Sequence, residues 1–142
     1  MGLPPLLLLP GEQAYRQRYM KEYVLGGPIV TFDGLGVAFY PEQFDHAFFR
    51  DSSLKAKDKA IFDLRRAERM PWIRAALCDP CAELYRRPMS NKKVHRIALL
   101  DSMRYAVIIQ IRDAKQTRAR FLTAYVVDSE GALKNMRGNP RW

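Results

Sequence analysis

Apolar residues form three long runs in the second half of the chain. Residues 94–100, 104–111 and 120–127 are rich in β-branched and aromatic side chains, and short polar segments connect them. This arrangement predicts three consecutive antiparallel strands, a β-meander. Alternation along the last strand predicts one face with Phe121, Thr123 and Tyr125, and an opposite face with Leu122, Ala124 and Val126.

The first half of the chain has a mixed pattern. Residues 12–23 are good helix formers with tyrosines near helical spacing, and Gly26-Gly27-Pro28 ends this predicted helix. Residues 29–32 and 37–40 are short β-prone runs around Asp33-Gly34-Leu35-Gly36, which predicts a hairpin. A short turn or helix containing His46 is expected over residues 42–50.

Two further helices are predicted before the meander. Ser52 or Ser53 can cap a helix that runs to Ala67, and Pro71 fits the first turn of a second helix over residues 71–78. Residues 85–93 are basic and turn-rich, and the tail over residues 128–142 is polar. The prediction is therefore an α+β fold in which N-terminal helices pack on a C-terminal antiparallel meander.

The length of 142 residues is that of one globular domain. We expect residues 1–27 to form an N-terminal arm and helix and residues 28–142 a single α+β domain. Pro4, Pro5 and Pro10 prevent a regular helix, so residues 1–11 are expected to be a loose arm or a packing strap. The apolar run before Pro10 lacks the basic start of a secretory signal and the length of a membrane span.

Charge is distributed unevenly along the chain. Residues 1–45 hold three Lys or Arg against five Asp or Glu, net −2, which leaves 21 against 10, net +11, in residues 46–142. A basic excess of this size points to a polyanionic partner, such as nucleic acid or an anionic membrane surface. The alternative is a basic, solvated surface with no such partner.

Few residues in the sequence could carry chemistry. His46 lies among aromatic residues that could form the edge of a cleft, whereas His95 lies in a strand pattern that favours a half-buried structural side chain. Arg66 and Arg69, three apart on a predicted helix, could clamp a phosphate, and the alternative is a solvated helix face. The hydroxyls of Thr123 and Tyr125 could line a site or belong to an ordinary sheet face.

Other site types receive little support. Cys78 and Cys81 are closely spaced, but zinc would need two more ligands and a redox motif would need a βαβ context, so ordinary loop cysteines are favoured. The carboxylates lack the clustered spacing of a magnesium nuclease, and no Gly-rich phosphate loop or nucleophile elbow is found. We therefore expect neither a metal nor a cofactor.

The order of these motifs resembles a known superfamily. The motifs look like those of the barnase, EndoU, colicin and RelE ribonucleases. In chain order they are His46, the element Arg66-Ala-Glu-Arg69-Met-Pro-Trp72, a meander with Tyr105 and the closing Phe121-Leu-Thr-Ala-Tyr125. The phage- and polymorphic-toxin-associated branch is the most similar, over roughly residues 28–127. Members share helices packed on an antiparallel sheet, and many cleave RNA without metal, leaving a 2′,3′-cyclic phosphate.

The resemblance implies specific roles. His46 would be the general base or acid, Arg66 or Arg69 would stabilise the phosphorane, and Thr123 and Tyr125 would orient the phosphate. Arg65, Trp72 and Tyr105 are expected to bind the substrate, with the aromatic rings stacking on bases. The chain departs from the better-known members, since it has no convincing second catalytic histidine and no obvious glutamate partner. Either another group such as Tyr125 or water is the acid, or the activity is weak or lost.

The resemblance also implies partners and a location. RNA is the expected partner, with tRNA as one candidate, and an acidic immunity protein is the expected inhibitor of a basic toxin. No membrane partner is expected. The protein is expected to be encoded by a bacterium or a phage and to lie in the cytoplasm. Two other functions stay open: a noncatalytic nucleic-acid-binding or phage structural accessory domain, and a domain whose basic face meets a protein or anionic lipid.

Overall fold

A computed structural model describes residues 2–142, which form five helices and a mostly antiparallel six-stranded sheet. No helix in this part of the chain is long and apolar enough to span a membrane. In chain order the elements are α1 (Glu12–Tyr19) with a π-helical extension (Met20–Val24), β1 (Ile29–Val30), β2 (Gly36–Ala38), α2 (Gln43–Ala47), β3 (Phe49–Arg50), β4 (Ile61–Phe62), α3 (Leu64–Glu68), α4 (Met70–Cys78), β5 (Glu83–Pro88), β6 (Val94–Leu100), β7 (Tyr105–Ile111), β8 (Arg118–Val126) and α5 (Glu130–Arg137).

The large sheet has the strand order β1-β2-β8-β7-β6-β5. Strands β5 to β8 are consecutive antiparallel neighbours, which confirms the predicted meander and extends it by one strand. The predicted hairpin of β1 and β2 is also confirmed, and β2 joins the meander by pairing parallel to β8. Strands β3 and β4 form a separate two-stranded sheet.

The main core lies between one face of the sheet and the helices α1, α2 and α4. Tyr15, Tyr19 and Tyr23 recur every four residues and are fully or almost fully buried. Each phenol donates a hydrogen bond to a backbone carbonyl, as a buried hydroxyl requires; Tyr23 donates to Met70 O at 2.6 Å. The predicted helix over residues 12–23 is thus confirmed, with a π-helical last turn.

The N-terminal segment packs as a strap over this core. The indole Nε1 of Trp72 donates to Pro4 O at 2.8 Å, and Leu7 N donates to Glu68 O at 2.8 Å. Leu3, Leu7 and Leu9 pack against buried core residues. The strap alternative is therefore confirmed for residues 2–11, while Met1 lies outside the described residues, and the boundary between residues 27 and 28 stays a prediction.

The predicted helix from Ser52 or Ser53 to Ala67 is wrong. Both the backbone N and the hydroxyl of Ser52 donate to the Asp58 carboxylate, and these local bonds favour a loop over a helix. A helix begins only at Leu64, where Asp63 caps it by accepting a hydrogen bond from Arg66 N at 3.2 Å.

Two elements near the C-terminus differ from the prediction. The basic segment after Cys81 contains β5, which pairs with β6 over six residues although its side chains are mostly polar. The polar tail contains α5, capped by Ser129 and anchored by the buried Leu133 and Met136. Because α5 follows the last strand and covers the second face of the sheet, the expected arrangement of N-terminal helices on a C-terminal meander is corrected: the helices are not all N-terminal.

Candidate functional site

The candidate site lies along an unpaired edge of β8. In the described chain, β2 pairs with β8 only from Arg118 to Arg120, so the outer edge of β8 has no strand partner beyond that point. Helices α2 and α3 pack along this edge instead. The side-chain amide of Gln43 donates to Leu122 O at 2.7 Å and so replaces one of the missing strand contacts.

Arg66 is the centre of this site. Its NH1 atom lies 3.4 Å from Ala47 O of α2 and 3.5 Å from Thr123 Oγ1 of β8, and its Nε lies 3.5 Å from an Asp63 carboxylate oxygen. The guanidinium carbon is 5.1 Å from the centre of the Tyr125 ring. All of these polar contacts are long for N–H···O hydrogen bonds, so the guanidinium retains donor capacity for a ligand.

A small cavity of about 80 Å³ opens beside Arg66. Three arginines and two aspartates contribute to its lining, which gives it a formal excess of one positive charge. Its lining residues are Asp63, Arg65, Arg66, Arg69, Tyr125, Val126 and Asp128. Arg65 forms an exposed ion pair with Asp128 at 2.7 Å on one side, and such exposed pairs open at little cost.

Arg69 has no salt-bridge partner among the described residues. Its NH1 donates to Arg65 O at 2.8 Å, its guanidinium lies 5.1 Å from the Trp72 ring, and its buried Nε has no hydrogen-bond partner. A buried donor without an acceptor lowers the stability of the fold.

His46 does not line this cavity. Its side chain is exposed near the C-terminal end of α2 and forms no hydrogen bond or ion pair with any residue from 2 to 142. The carbonyl of the following residue, Ala47, is the one that Arg66 approaches. The structure thus brings Arg66, Thr123 and Tyr125 together, with Arg65 and Arg69 lining the cavity, whereas His46 is not among the lining residues.

Two of the expected substrate-binding residues are buried. Trp72 is 5% exposed and Tyr105 1% exposed, and their rings pack edge to face at 5.3 Å. Burial also raises the pKa of the Tyr105 phenol well above its usual value. The expectation that these rings stack on bases is therefore corrected, because both are core side chains. The Trp72 ring still contacts the Arg69 guanidinium, at 5.1 Å.

The predicted division of β8 into two faces is wrong at Phe121. Ile108 pairs with Thr123 but Ile109 pairs with Phe121, so Leu122 is the extra residue of a β-bulge. Phe121 and Ala124 consequently pack in the same core, while Tyr125 packs against the α5 side. The bulge moves Phe121 away from the face that Thr123 and Tyr125 share.

Sequence reasoning placed none of three further residues in the site, although Asp63 was expected to form ion pairs with the arginines in the solvated-helix alternative. Asp63 and Asp128 line the cavity, and Gln43 links α2 to β8. Asp63 could have been found as the helix cap three residues before Arg66, a common spacing for N-terminal capping. Asp128 and Gln43 carry no such local signal, because only the packing of distant elements brings them to the site.

The two cysteines lie at the end of α4, away from this cavity. Both are exposed and carry free thiols, and Cys78 Sγ lies 3.6 Å from Val30 O. Residues 2–142 contain no group of three or more His, Cys, Asp or Glu side chains arranged to hold a metal ion.

Comparisons with protein-family models, with curated proteins and with solved structures find no match for this chain. The resemblance to the barnase, EndoU, colicin and RelE ribonucleases therefore stays a prediction from the sequence motifs.

Proposed function

We propose that this protein is a metal-independent, toxin-like endoribonuclease that uses the 2′-OH of RNA to attack the adjacent phosphodiester. The observation that carries the proposal is the position of Arg66. It contacts Thr123 Oγ1 and also the carbonyl that follows His46, so residues from α2, α3 and β8 meet at one guanidinium.

In the proposed reaction His46 accepts the proton of the 2′-OH while the new P–O bond forms. The oxygen of the 5′ leaving group takes a proton from Tyr125 or water, and the products are a 2′,3′-cyclic phosphate and a free 5′-OH. Arg66 and Arg69 stabilise the negative charge of the phosphorane, and Thr123 orients a nonbridging oxygen. A neutral-pH proton acceptor and preformed cations are the two main requirements of this chemistry.

The test is cleavage of tRNA and total RNA in EDTA by the unmodified protein and by His46→Ala. Loss of a general acid–base group is expected to lower the rate about 10²- to 10⁴-fold. Gln17→Ala, which removes an exposed side chain on α1, is the control and should cleave like the unmodified protein. End-group analysis should find a 2′,3′-cyclic phosphate; unchanged cleavage by His46→Ala or a strict need for Mg²⁺ would disprove the mechanism.

A noncatalytic nucleic-acid-binding domain is the second candidate. The exposed, unbonded His46 and the cavity of only about 80 Å³ favour it, because a general base is normally held by its neighbours. Salt-sensitive RNA binding with no cleavage under any condition would support this alternative over the enzyme.

A further inference from the structure

A second cluster of positive charge lies away from the candidate site, at the end of the sheet where two hairpin loops connect its strands. The cluster contains five cations without a salt bridge among residues 2–142: Arg87, Lys93, Arg112, Arg118 and Arg120. An open cavity of about 520 Å³ beside them is lined in part by Lys93, Arg112 and Arg120.

Strand register puts these five side chains on one face of the sheet. Arg87 pairs with His95, His95 with Gln110, and Gln110 with Arg120, so these four residues form a row across β5, β6, β7 and β8. Side chains that are directly paired across antiparallel strands project from the same face. The row spans three strand spacings, about 14 Å.

The next row toward the loops carries the remaining three cations. Lys93 lies two residues before His95, and Arg118 lies two residues before Arg120. Arg112 is opposite Arg118, since Arg112 N donates to Arg118 O at 2.8 Å. We call the surface formed by Arg87, Lys93, Arg112, Arg118 and Arg120 the basic sheet face. It continues the face on which Ile97 and Ile108 pack against α5.

Acidic groups offset only part of the charge of the basic sheet face: Asp113, which lines the same cavity, cancels one of its five positive charges. Both carboxylate oxygens of Asp113 accept hydrogen bonds within its own loop, from Thr117 and from Arg118 N. Glu83 lies at the other end of β5, where it binds Arg137. Five cations against one carboxylate leave a net charge of +4 at this face. These like charges repel one another, so a bound polyanion would lower the electrostatic energy of the folded state.

The composition of this face favours nucleic acid over an acidic protein as the ligand. Four of its five cations are arginines, whose planar guanidinium matches the oxygens of a phosphate. Protein–protein interfaces place apolar and aromatic groups at their centre, whereas His95 and Gln110 occupy the centre here. Burial, together with Arg87 and Lys93, lowers the pKa of His95, so this side chain adds hydrogen-bonding atoms without charge at neutral pH.

The basic sheet face is also connected to the candidate site. Arg120 NH2 donates to Gln43 Oε1 at 3.2 Å, and Gln43 precedes His46 by about one turn of α2. A polynucleotide bound across β5, β6, β7 and β8 would therefore reach the part of α2 that contacts β8.

We propose that the basic sheet face binds the phosphate backbone of single-stranded RNA near the Gln43 end of α2, whereas Arg66 contacts the Ala47 end. The proposal rests on the proposed function for RNA as the ligand and adds a contact surface that is distinct from the residues acting on the scissile phosphate.

The test uses a fluorescein-labelled 12-nucleotide 2′-O-methyl oligouridine, which cannot be cleaved because its 2′-hydroxyls are blocked. Its dissociation constant is measured by fluorescence anisotropy from 50 to 200 mM KCl. The double variant Lys93→Gln/Arg118→Gln removes two exposed cations of the face. The control Lys21→Gln/Arg74→Gln removes the same charge from exposed positions on the helical side of the molecule.

We expect the face variant to bind at least about tenfold more weakly at 50 mM KCl, and its log–log salt slope to be smaller by about 1.4, the value for two lost single-strand phosphate contacts. The control should bind like the unmodified protein. Equal losses in both variants would attribute binding to net charge and overturn the proposal. Equally tight, equally salt-dependent binding of a 12-residue polyglutamate would also overturn it, in favour of an acidic protein partner.

The binding measurement and the cleavage assay can fail separately. The oligonucleotide tests the face without any chemical step. If the unmodified protein cleaves no RNA but the face variant binds the oligonucleotide more weakly than the control variant does, only the ribonuclease proposal is refuted. An active ribonuclease whose oligonucleotide affinity is the same in both double variants would refute the basic sheet face alone.

Discussion

Arg96 and Arg66 are both held by residues far away in sequence, but in opposite ways. Arg96 is 2% exposed; its NH1 donates to Asp33 Oδ1 at 3.1 Å, its NH2 bonds the other oxygen, and its guanidinium lies 4.4 Å from the Trp142 ring. The Arg66 side chain is 26% exposed, and its NH1 and Nε atoms have polar contacts only at 3.4–3.5 Å.

The difference separates an arginine that supports the fold from one that is available to a ligand. The bidentate Arg96–Asp33 pair joins β6 to the turn between β1 and β2, and it leaves little capacity for a further partner. Arg66 is positioned but weakly bonded, which is common for catalytic groups that form short bonds only with substrate. Three predictions test this contrast.

The largest expected effect is on catalysis at Arg66. If the proposed ribonuclease reaction takes place at this site, Arg66→Gln should lower its rate about 10²- to 10³-fold, because it removes a cation where the proposed phosphorane develops negative charge. Its free energy of unfolding should change by less than about 1 kcal/mol, since the lost contacts are long. Arg74→Gln, an exposed arginine of α4, should change neither quantity. A large loss of stability in Arg66→Gln would show that Arg66 supports the fold as Arg96 does.

A smaller effect, on stability alone, is expected at Asp33. Asp33→Asn leaves the buried Arg96 charge without its counterion and should lower the free energy of unfolding by about 3 kcal/mol, measured by urea denaturation. Asp45→Asn breaks an exposed pair with Arg16 and is the control, with an expected loss below about 1 kcal/mol. Equal losses in the two variants would contradict the structural role of Arg96.

The smallest effect is the pH dependence of the same ion pair. The hydrogen bond from Arg96 lowers the pKa of Asp33 to about 2. A depressed carboxyl pKa stabilises the fold above the unfolded-state value near 4, and this stabilisation is lost as the pH falls toward 2. The stability difference between the unmodified protein and Asp33→Asn should therefore narrow by about 1 kcal/mol between pH 5 and pH 2.5, allowing for the exposure of Asp33. A difference independent of pH would show that Asp33 is not the titrating partner.

Long, uniform patterns in the sequence predicted their elements well. The apolar strands β6, β7 and β8 and the tyrosine-spaced helix α1 were found because their own side chains supply the buried surface. Strand β5 and helix α5 were missed because their polar side chains depend on neighbours for burial. The loop after Ser52 was misassigned because two hydrogen bonds to Asp58 outweigh a helical pattern.

The candidate site was predicted only in part. Arg66, Thr123 and Tyr125 were named from the sequence and meet in the structure, whereas Trp72 and Tyr105 were named for binding and are buried. Residue type indicates which chemistry a side chain can perform. It does not indicate exposure, and the aromatic rings that can stack on a base also fill cores.

By itself, the sequence determined the meander, the first helix and the excess of positive charge after residue 45, because periodicity and charge are local properties of the chain. Only the tertiary structure decided which cations are neutralised and which are free. Asp33 reaches Arg96 across 63 residues, whereas strand register gathers five unpaired cations on one sheet face. Pairing depends on distances of a few ångströms between elements remote in sequence, and no local pattern encodes those distances.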